Sequence, residues 1–241
     1  MQLSRRRLYS RLGGKVTNLN WIAARLPERV TLEGKSVRVE PVDPARHGEQ
    51  LHTASAEADS IWDYLPYGPF ASQAEFSEWL QERAASKDPL FFTIVDKESG
   101  EARGMASLLR MEPQHGVIEI GHIWLAPSLQ RSRAATEAIY LLSRYAFELG
   151  NRRYEWKCNA SNQASRRAAE RLGFTFEGVF RQHQVVKGRN RDTAWYSMTD
   201  AEWTDRRAAF EAWLRPENFD ASGRQRRSLA ELRGGIRTGS E

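Results

Sequence analysis

The sequence predicts an α/β (α+β) fold, a mixed sheet with helices packed against it. Three observations carry that expectation. Period-two and period-3.6 hydrophobic runs alternate through the middle of the chain in the order β-α-α-β-β-β-α-β-α-β-β. Strands that follow one another directly are joined by short polar turns suited to hairpins. The composition of 241 residues, 40% apolar and 28% charged with eight Trp, ten Phe and seven Tyr, supplies a sizeable core. No internal repeat is visible.

Each element has its own local reason. Ser36–Val42 alternates and reads as a first strand; a helix follows Asp43-Pro44 to about Ala58. Ser72 is placed to cap a helix in which Phe76, Trp79, Leu80 and Arg83 follow the helical period. Leu90–Val95 and Ala102–Leu109 are two strands joined through Lys97-Glu98-Ser99-Gly100, and Val117–Leu125 is a third, stopped by Ala126-Pro127. A long helix runs from about Arg131 to Leu149, with Ala135, Ile139, Leu142, Ala146 and Leu149 on one face and Gly150 as its stop. Tyr154–Cys158 is a short strand. Ser161 or Asn162 caps the next helix, which Gly173 ends. Phe174–Val186 and Asp192–Met198 form a hairpin around Gly188-Arg189-Asn190, and Asp200–Leu214 is a last amphipathic helix.

The formal charge of +5 is unevenly distributed. Residues 1–27 hold six basic side chains and no acid, and 215–241 hold six Arg and four acids; between them, 24 basic residues face 27 acidic ones. The chain therefore divides into a basic extension (1–29), a domain (30–214) and a polar tail (215–241) whose composition favours flexibility. Within the extension, the apolar pair Trp21-Ile22 is the part suited to dock on the domain. A mildly acidic domain is unlike one that grips nucleic acid, and it favours a cationic partner. No run approaches the ~18 uninterrupted apolar residues of a spanning helix, so no membrane partner is expected. The single Cys158 precludes an intrachain disulfide and fits a reducing, cytoplasmic setting; an Arg-rich, acid-free start leaves mitochondrial targeting as the lesser alternative. His and Cys have no zinc-ligand spacing, and no metal is expected.

The sharpest chemical signal is Gln130-Arg131-Ser132-Arg133-Ala134-Ala135-Thr136, between a strand end and a helix start. Helix N-termini carry unpaired amides and partial positive charge, so two arginines there are unfavourable unless an anion joins them. Phosphate is the natural candidate; the competing reading is a solvated pair of arginines. Glu119 and His122 lie close on the strand before it, on opposite faces if alternation is strict and on one face if a bulge at Gly121 intervenes. Trp62, Tyr64, Tyr67 and Phe70 make an unusual aromatic loop, which either packs as core or lines a pocket together with Trp195 and Tyr196.

Taken in order, Glu119-Ile120-Gly121-His122-Ile123-Trp124-Leu125, Gln130-x-x-Arg133-x-Ala135, Asn162-x-x-Ser165 and Leu172-Gly173-Phe174-x-x-Glu177-Gly178 resemble the GNAT superfamily of N-acetyltransferases, in its RimJ/RimL-like branch. The resemblance spans about 30–200. It implies a mixed central sheet splayed between its two middle strands, with helices on both faces. It implies acetyl-CoA as co-substrate and a primary amine as acceptor, either a protein N-terminus or a small molecule, attacked directly in a ternary complex. Backbone groups of Trp124, Leu125 and Ala126 would hold the pantetheine arm, residues 130–136 the diphosphate, and Asn162 and Ser165 the arm again. Glu119 matches a strand carboxylate that serves as general base, with His122 beside it. Arg133 departs from the family's glycine, and Ala169 stands where relatives place a tyrosine acid, which leaves Ser165 as the substitute. Trp62, Tyr64, Tyr67, Phe70 and Trp195 fall in the acceptor region. The alternatives are a catalytically silent CoA-binding sensor, prompted by Arg133 and Ala169, and a nucleic-acid binder using its basic ends. Oligomeric state is not legible.

Overall fold

A computed structural model of the chain describes residues 20–236. Eight strands form one sheet: β1 (Leu32–Glu33), β2 (Val37–Pro41), β3 (Leu90–Asp96), β4 (Ala102–Glu112), β5 (Val117–Leu125), β6 (Arg153–Asn159), β7 (Thr175–Val186) and β8 (Arg189–Thr199), in the order β1-β2-β3-β4-β5-β6-β8-β7. Only β5 and β6 run parallel; the other neighbours are antiparallel. The helices are α1 (Pro44–Ser55), α2 (Gln73–Ala85), α3 (Arg133–Glu148), α4 (Gln163–Leu172), α5 (Asp200–Trp213) and α6 (Leu229–Ile236).

The helices begin where side chains relieve unpaired amides. Asp43 accepts from Ala45 and Arg46, Ser72 from Glu75, Ser132 from Ala135 and Asn162 from Ser165. Gly173 ends α4 in the left-handed conformation, at φ 97°. Two apolar clusters flank the sheet. Ile118, Ile120, Leu142, Tyr154, Tyr196 and Phe210 belong to the larger, on the face carrying α3–α5. The smaller joins Trp62, Phe76, Trp79, Phe91, Met105 and Trp124 under α1 and α2.

Two segments differ from the sequence reading. The stretch after Leu214, expected to be flexible, is folded as far as 236. Leu229 is buried, Trp213 Nε1 donates to Gln225 Oε1 at 2.7 Å, and the Arg233 guanidinium donates to the carbonyls of Arg171 and Glu170. Composition averaged over the tail hid these few anchoring side chains. Of the extension, 1–19 lies outside the described residues. Beyond it, Trp21 donates to the Gln114 carbonyl at 2.8 Å and Ala24 to that of Pro113 at 3.0 Å, while Ile22 stays exposed. Among the described residues no helix is long and apolar enough to cross a membrane, and no group of His, Cys, Asp and Glu is arranged to hold a metal ion.

Candidate active site

The parallel pair β5/β6 is in register only from Val117↔Arg153 to Ile120↔Trp156. Beyond Ile120 the strands part. β5 stays on β4 and β6 stays on β8, so a gap opens between Gly121–Leu125 and Lys157–Asn159. Alternation decides which groups of β5 face it. Ala126 N donates to Arg103 O at 2.9 Å, so Ala126 and Trp124 address β4, and Ile123 and Leu125 address the gap. Of the three residues expected to hold a pantetheine arm through their backbone, Leu125 alone is so turned. Its carbonyl already accepts from Gln130 Nε2 at 3.0 Å.

At the far end of the gap is the N-terminus of α3. Arg131 takes the left-handed conformation at φ 60°, and Arg133 is the first helical residue. Residue 133 thus needs no glycine. The amides of Arg133 and Ala134 have no intrahelical acceptor and lie at the positive helix pole, the chemistry a diphosphate requires. The Arg133 guanidinium lies 3.9 Å above the Phe219 ring, a contact from the folded tail. Thr136 Oγ1 is engaged by Arg171 at 3.2 Å. Asn162 is the cap of α4, and Ser165 Oγ accepts from Trp156 Nε1 at 3.0 Å beside the buried Cys158, whose thiol is pushed up by burial.

Three β-bulges shape the near end of the gap. His122 and Ile123 together stand opposite Ala106, and His122 adopts φ 50°. This extra residue reverses the alternation, so Glu119, Gly121, His122 and Trp124 all point to the α1/α2 face. On β4, Arg110 (φ 49°) makes a second bulge opposite Ile118, and on β7 the third holds Gln182 (φ 49°). Left-handed backbone at such residues costs on the order of 1–3 kcal/mol each, and polar side chains stabilise the exposed backbone groups. Asp88 accepts from Arg110 N at 2.9 Å, Ser107 donates to Gly121 O at 3.1 Å, and Asp192 accepts from Gln182 N at 2.7 Å.

The side chains gathered there are ionic. Glu119 is buried; its Oε2 accepts from Lys157 Nζ at 2.9 Å and pairs with Arg110 Nε at 3.2 Å. Lys157 also pairs with Glu155 at 2.6 Å and lies 4.0 Å from the Trp195 ring centroid. Burial raises the Glu119 pKa against the opposing pull of Lys157 and Arg110. His122 Nδ1 is 2.9 Å from Tyr67 Oη, with the rings stacked. Burial, then the charges of Arg83, Arg191 and Arg110, push His122 down to about 4, so it is neutral at physiological pH. Burial raises the Tyr67 pKa.

Of the aromatic residues expected at an acceptor pocket, Tyr67, Phe70, Tyr64 and Trp195 are half-buried or exposed, and Tyr67 and Trp195 reach the ionic group. Trp62 does not. It is 1% exposed, packed against Tyr67, Phe70, Trp79 and Trp124, and serves as core. Tyr196 also faces away; its hydroxyl meets Arg166 and Glu170 on the opposite side. The loop is tied over the site. Lys187 Nζ at the β7–β8 hairpin tip donates to Trp62 O at 2.9 Å and Gly68 O at 2.5 Å, and Tyr64 Oη donates to Ser161 O at 3.4 Å. Sequence reasoning missed Arg83, Arg110, Lys157 and Arg191. The available signal was Tyr154-Glu155-Trp156-Lys157-Cys158, where charged residues alternate with apolar ones inside a central strand.

The acetyltransferase (GNAT) domain family matches residues 37–175. A GCN5-related N-acetyltransferase from Brucella melitensis is 50% identical, with a TM-score of 0.88 over 89% of this chain and 99% of that one. The ribosomal-protein-serine acetyltransferase of Escherichia coli (strain K12) is 32% identical over 105 residues, 43% of this chain and 58% of that protein. A relative from Bacillus subtilis (strain 168) is 34% identical over 105 residues, 57% of its own length. The chain thus spans less than two thirds of the curated relatives it matches in those two species. The family match covers more than half of the chain, and this chain belongs to the GNAT acetyltransferases.

Proposed function

We propose that the protein transfers the acetyl group of acetyl-CoA to a primary amine, by direct attack within a ternary complex. The observation that carries this reading is the gap beyond Ile120 and Trp156. It has a phosphate-suited helix N-terminus at one end and a neutral imidazole at the other. Acetyl-CoA, when bound, supplies an activated thioester. The amides of Arg133 and Ala134, with Gln130, Arg131, Ser132, Ala135 and Thr136 around them, would hold its diphosphate. Ile123 and Leu125 would line its arm, with Asn162 and Ser165 on the other side.

We assign the amine's proton to His122. In the tautomer with Nδ1–H donating to Tyr67 Oη, Nε2 keeps its lone pair; the low pKa keeps that nitrogen unprotonated at rest and makes it a weak base, matched to the acidic ammonium formed once the amine has attacked. Glu119 has Lys157 and Arg110 on one oxygen already. Its role here is to hold negative charge beside the amine nitrogen as that atom becomes cationic. Ser165 accepts from Trp156 and retains its own proton, which it can donate to the departing thiolate. The ribosomal-protein-serine acetyltransferase relative makes a protein N-terminus the first acceptor class to try.

The test is a panel of amines followed by CoA release, alongside thermal denaturation with acetyl-CoA. Acetyl-CoA is expected to raise the melting temperature by mass action, and Arg133→Glu to remove most of that rise. No rise and no CoA release with any amine would overturn the reading.

A further inference from the structure

The face that would receive the acceptor holds more positive charge than it neutralises. Its two central carboxylates, Glu119 and Glu155, are both taken up by Lys157, and Arg110 adds a second cation to Glu119. Arg83 lies about 6 Å from the rings of Tyr67, Trp79 and Phe91 at the rim, with only Glu82 beside it. That leaves Arg191. Among the described residues no carboxylate lies within ion-pairing distance of it, and its Nε is buried without a hydrogen-bond partner. Trp195 shares this face of β8, four residues on, and its indole Nε1 is likewise buried and unpartnered.

Two orphan donors on one face, one of them charged, ask for acceptor oxygens and negative charge. Resting on the acetyl-transfer reading above, we propose that the acceptor carries a carboxylate close to its amine, received by Arg191 and Trp195. Lys157 is the first β6 residue past the last β5 pair, so the reacting nitrogen belongs beside it and His122. Arg191 lies four positions from Trp195 toward the hairpin tip, about 13 Å along the strand, of which its long side chain spans about half, so the carboxylate belongs within one or two residues of the nitrogen. The net acidity of the domain as a whole points the opposite way. Local charge, not the sum over the surface, is what the acceptor meets. The carboxylate belongs either to the amino acid that bears the amine or to a neighbouring acidic side chain in a peptide.

The experiment uses the full chain with acetyl-CoA and three N-terminal serine tetrapeptide amides: Ser-Asp-Glu-Ala, Ser-Asn-Gln-Ala and Ser-Lys-Arg-Ala. Free serine against serinamide isolates the α-carboxylate. The acidic acceptor is expected to have a KM about tenfold below the neutral one, and the basic acceptor a higher KM still. Arg191→Gln removes that preference: it raises KM for the acidic acceptor relative to the neutral one and leaves acetyl-CoA affinity unchanged. Arg191→Lys retains part of the preference. Because the guanidinium has no partner among the described residues, Arg191→Gln keeps the wild-type melting temperature or exceeds it. Wild-type indifference to acceptor charge, a preference for the basic peptide, or an equal effect of Arg191→Gln on all acceptors would overturn the proposal. Should no amine be turned over, calorimetric binding of the acidic peptide amide, absent in Arg191→Gln, still supports anion recognition, and its absence in the wild type sinks it. Loss of acetyl-CoA binding speaks against the acetyl-transfer reading instead.

Discussion

Strands β3 and β7 belong to the same sheet and have opposite surroundings. Leu90-Phe91-Phe92-Thr93-Ile94-Val95 is buried at every position, with α2 over one face and α3 over the other. Thr175–Val186 is largely exposed, including Phe176, Phe180 and Val185. Between them, β5 and β6 are where a sheet covered on both sides becomes a sheet covered on one. Apolar packing dictates the first half, and a polar face replaces it in the second. The site lies at that boundary because ionic side chains are tolerated only where a covering layer ends, and are strengthened by the dry layer next to them.

The comparison is broken most directly at Lys157, whose side chain is 5% exposed. Lys157→Met leaves Glu119 with Arg110 alone and Glu155 with Arg153 alone, and is expected to cost about 2–3 kcal/mol of stability. Urea denaturation measures this; a loss below 1 kcal/mol would mean that the boundary is wet rather than half-dry. His122→Gln acts on the same boundary without removing a charge. It should lower kcat by about 10²–10⁴ while acetyl-CoA affinity holds, and a wild-type kcat would remove the imidazole from the chemistry.

Ending the chain at 214 tests the covered half instead. It strips buried Leu229 and the Phe219 contact with Arg133, and should destabilise by about 2–3 kcal/mol as well as weaken acetyl-CoA binding. Unchanged melting in the shortened protein would return the segment to the status of a free tail. The most gradual expected effect is a pH slope. His122 binds a proton near pH 4 in the fold and near 6.5 when unfolded. As pH falls below 6.5 the unfolded chain gains a proton the fold refuses, so stability declines, by at most about 1.4 kcal/mol per pH unit, until about pH 4. In His122→Gln that portion of the slope should vanish, as read from urea midpoints at pH 7, 5.5 and 4.5.

The covered half was legible because its causes are local. The run Val117–Leu125, the caps at Ser72, Ser132 and Asn162, and Gly173 each announce themselves within a few residues. The helix N-terminus proposed for phosphate is one contiguous segment, so its cap and its first helical residues were equally visible. The acceptor end comes from α2, β4, β5, β6 and β8, one or two residues each, and no spacing along the chain joins Arg83 to Lys157 or Arg191. The bulge at His122 was a conditional idea because nothing in Gly121-His122 demands a left-handed residue; Ser107, fourteen positions earlier, donates to the carbonyl that the bulge presents. Trp62 was misjudged for a related reason. An aromatic residue in a loop rich in turn residues resembles pocket lining, and only its four ring partners reveal a core.

The bond from Lys187 to the aromatic loop has a topological effect. That bridge ties the loop from Trp62 to Gly68 to the tip of the hairpin, closing a ring of chain that also contains β5, β6 and His122. An opening bounded on all sides admits objects that have an end. On the acetyl-transfer reading proposed above, a chain terminus or a small free amine could be threaded through it, whereas an amine in the middle of a folded surface would wait for the ring to open. Discrimination between ends and middles then needs no contact with the acceptor's side chains at all. It follows from closing a loop.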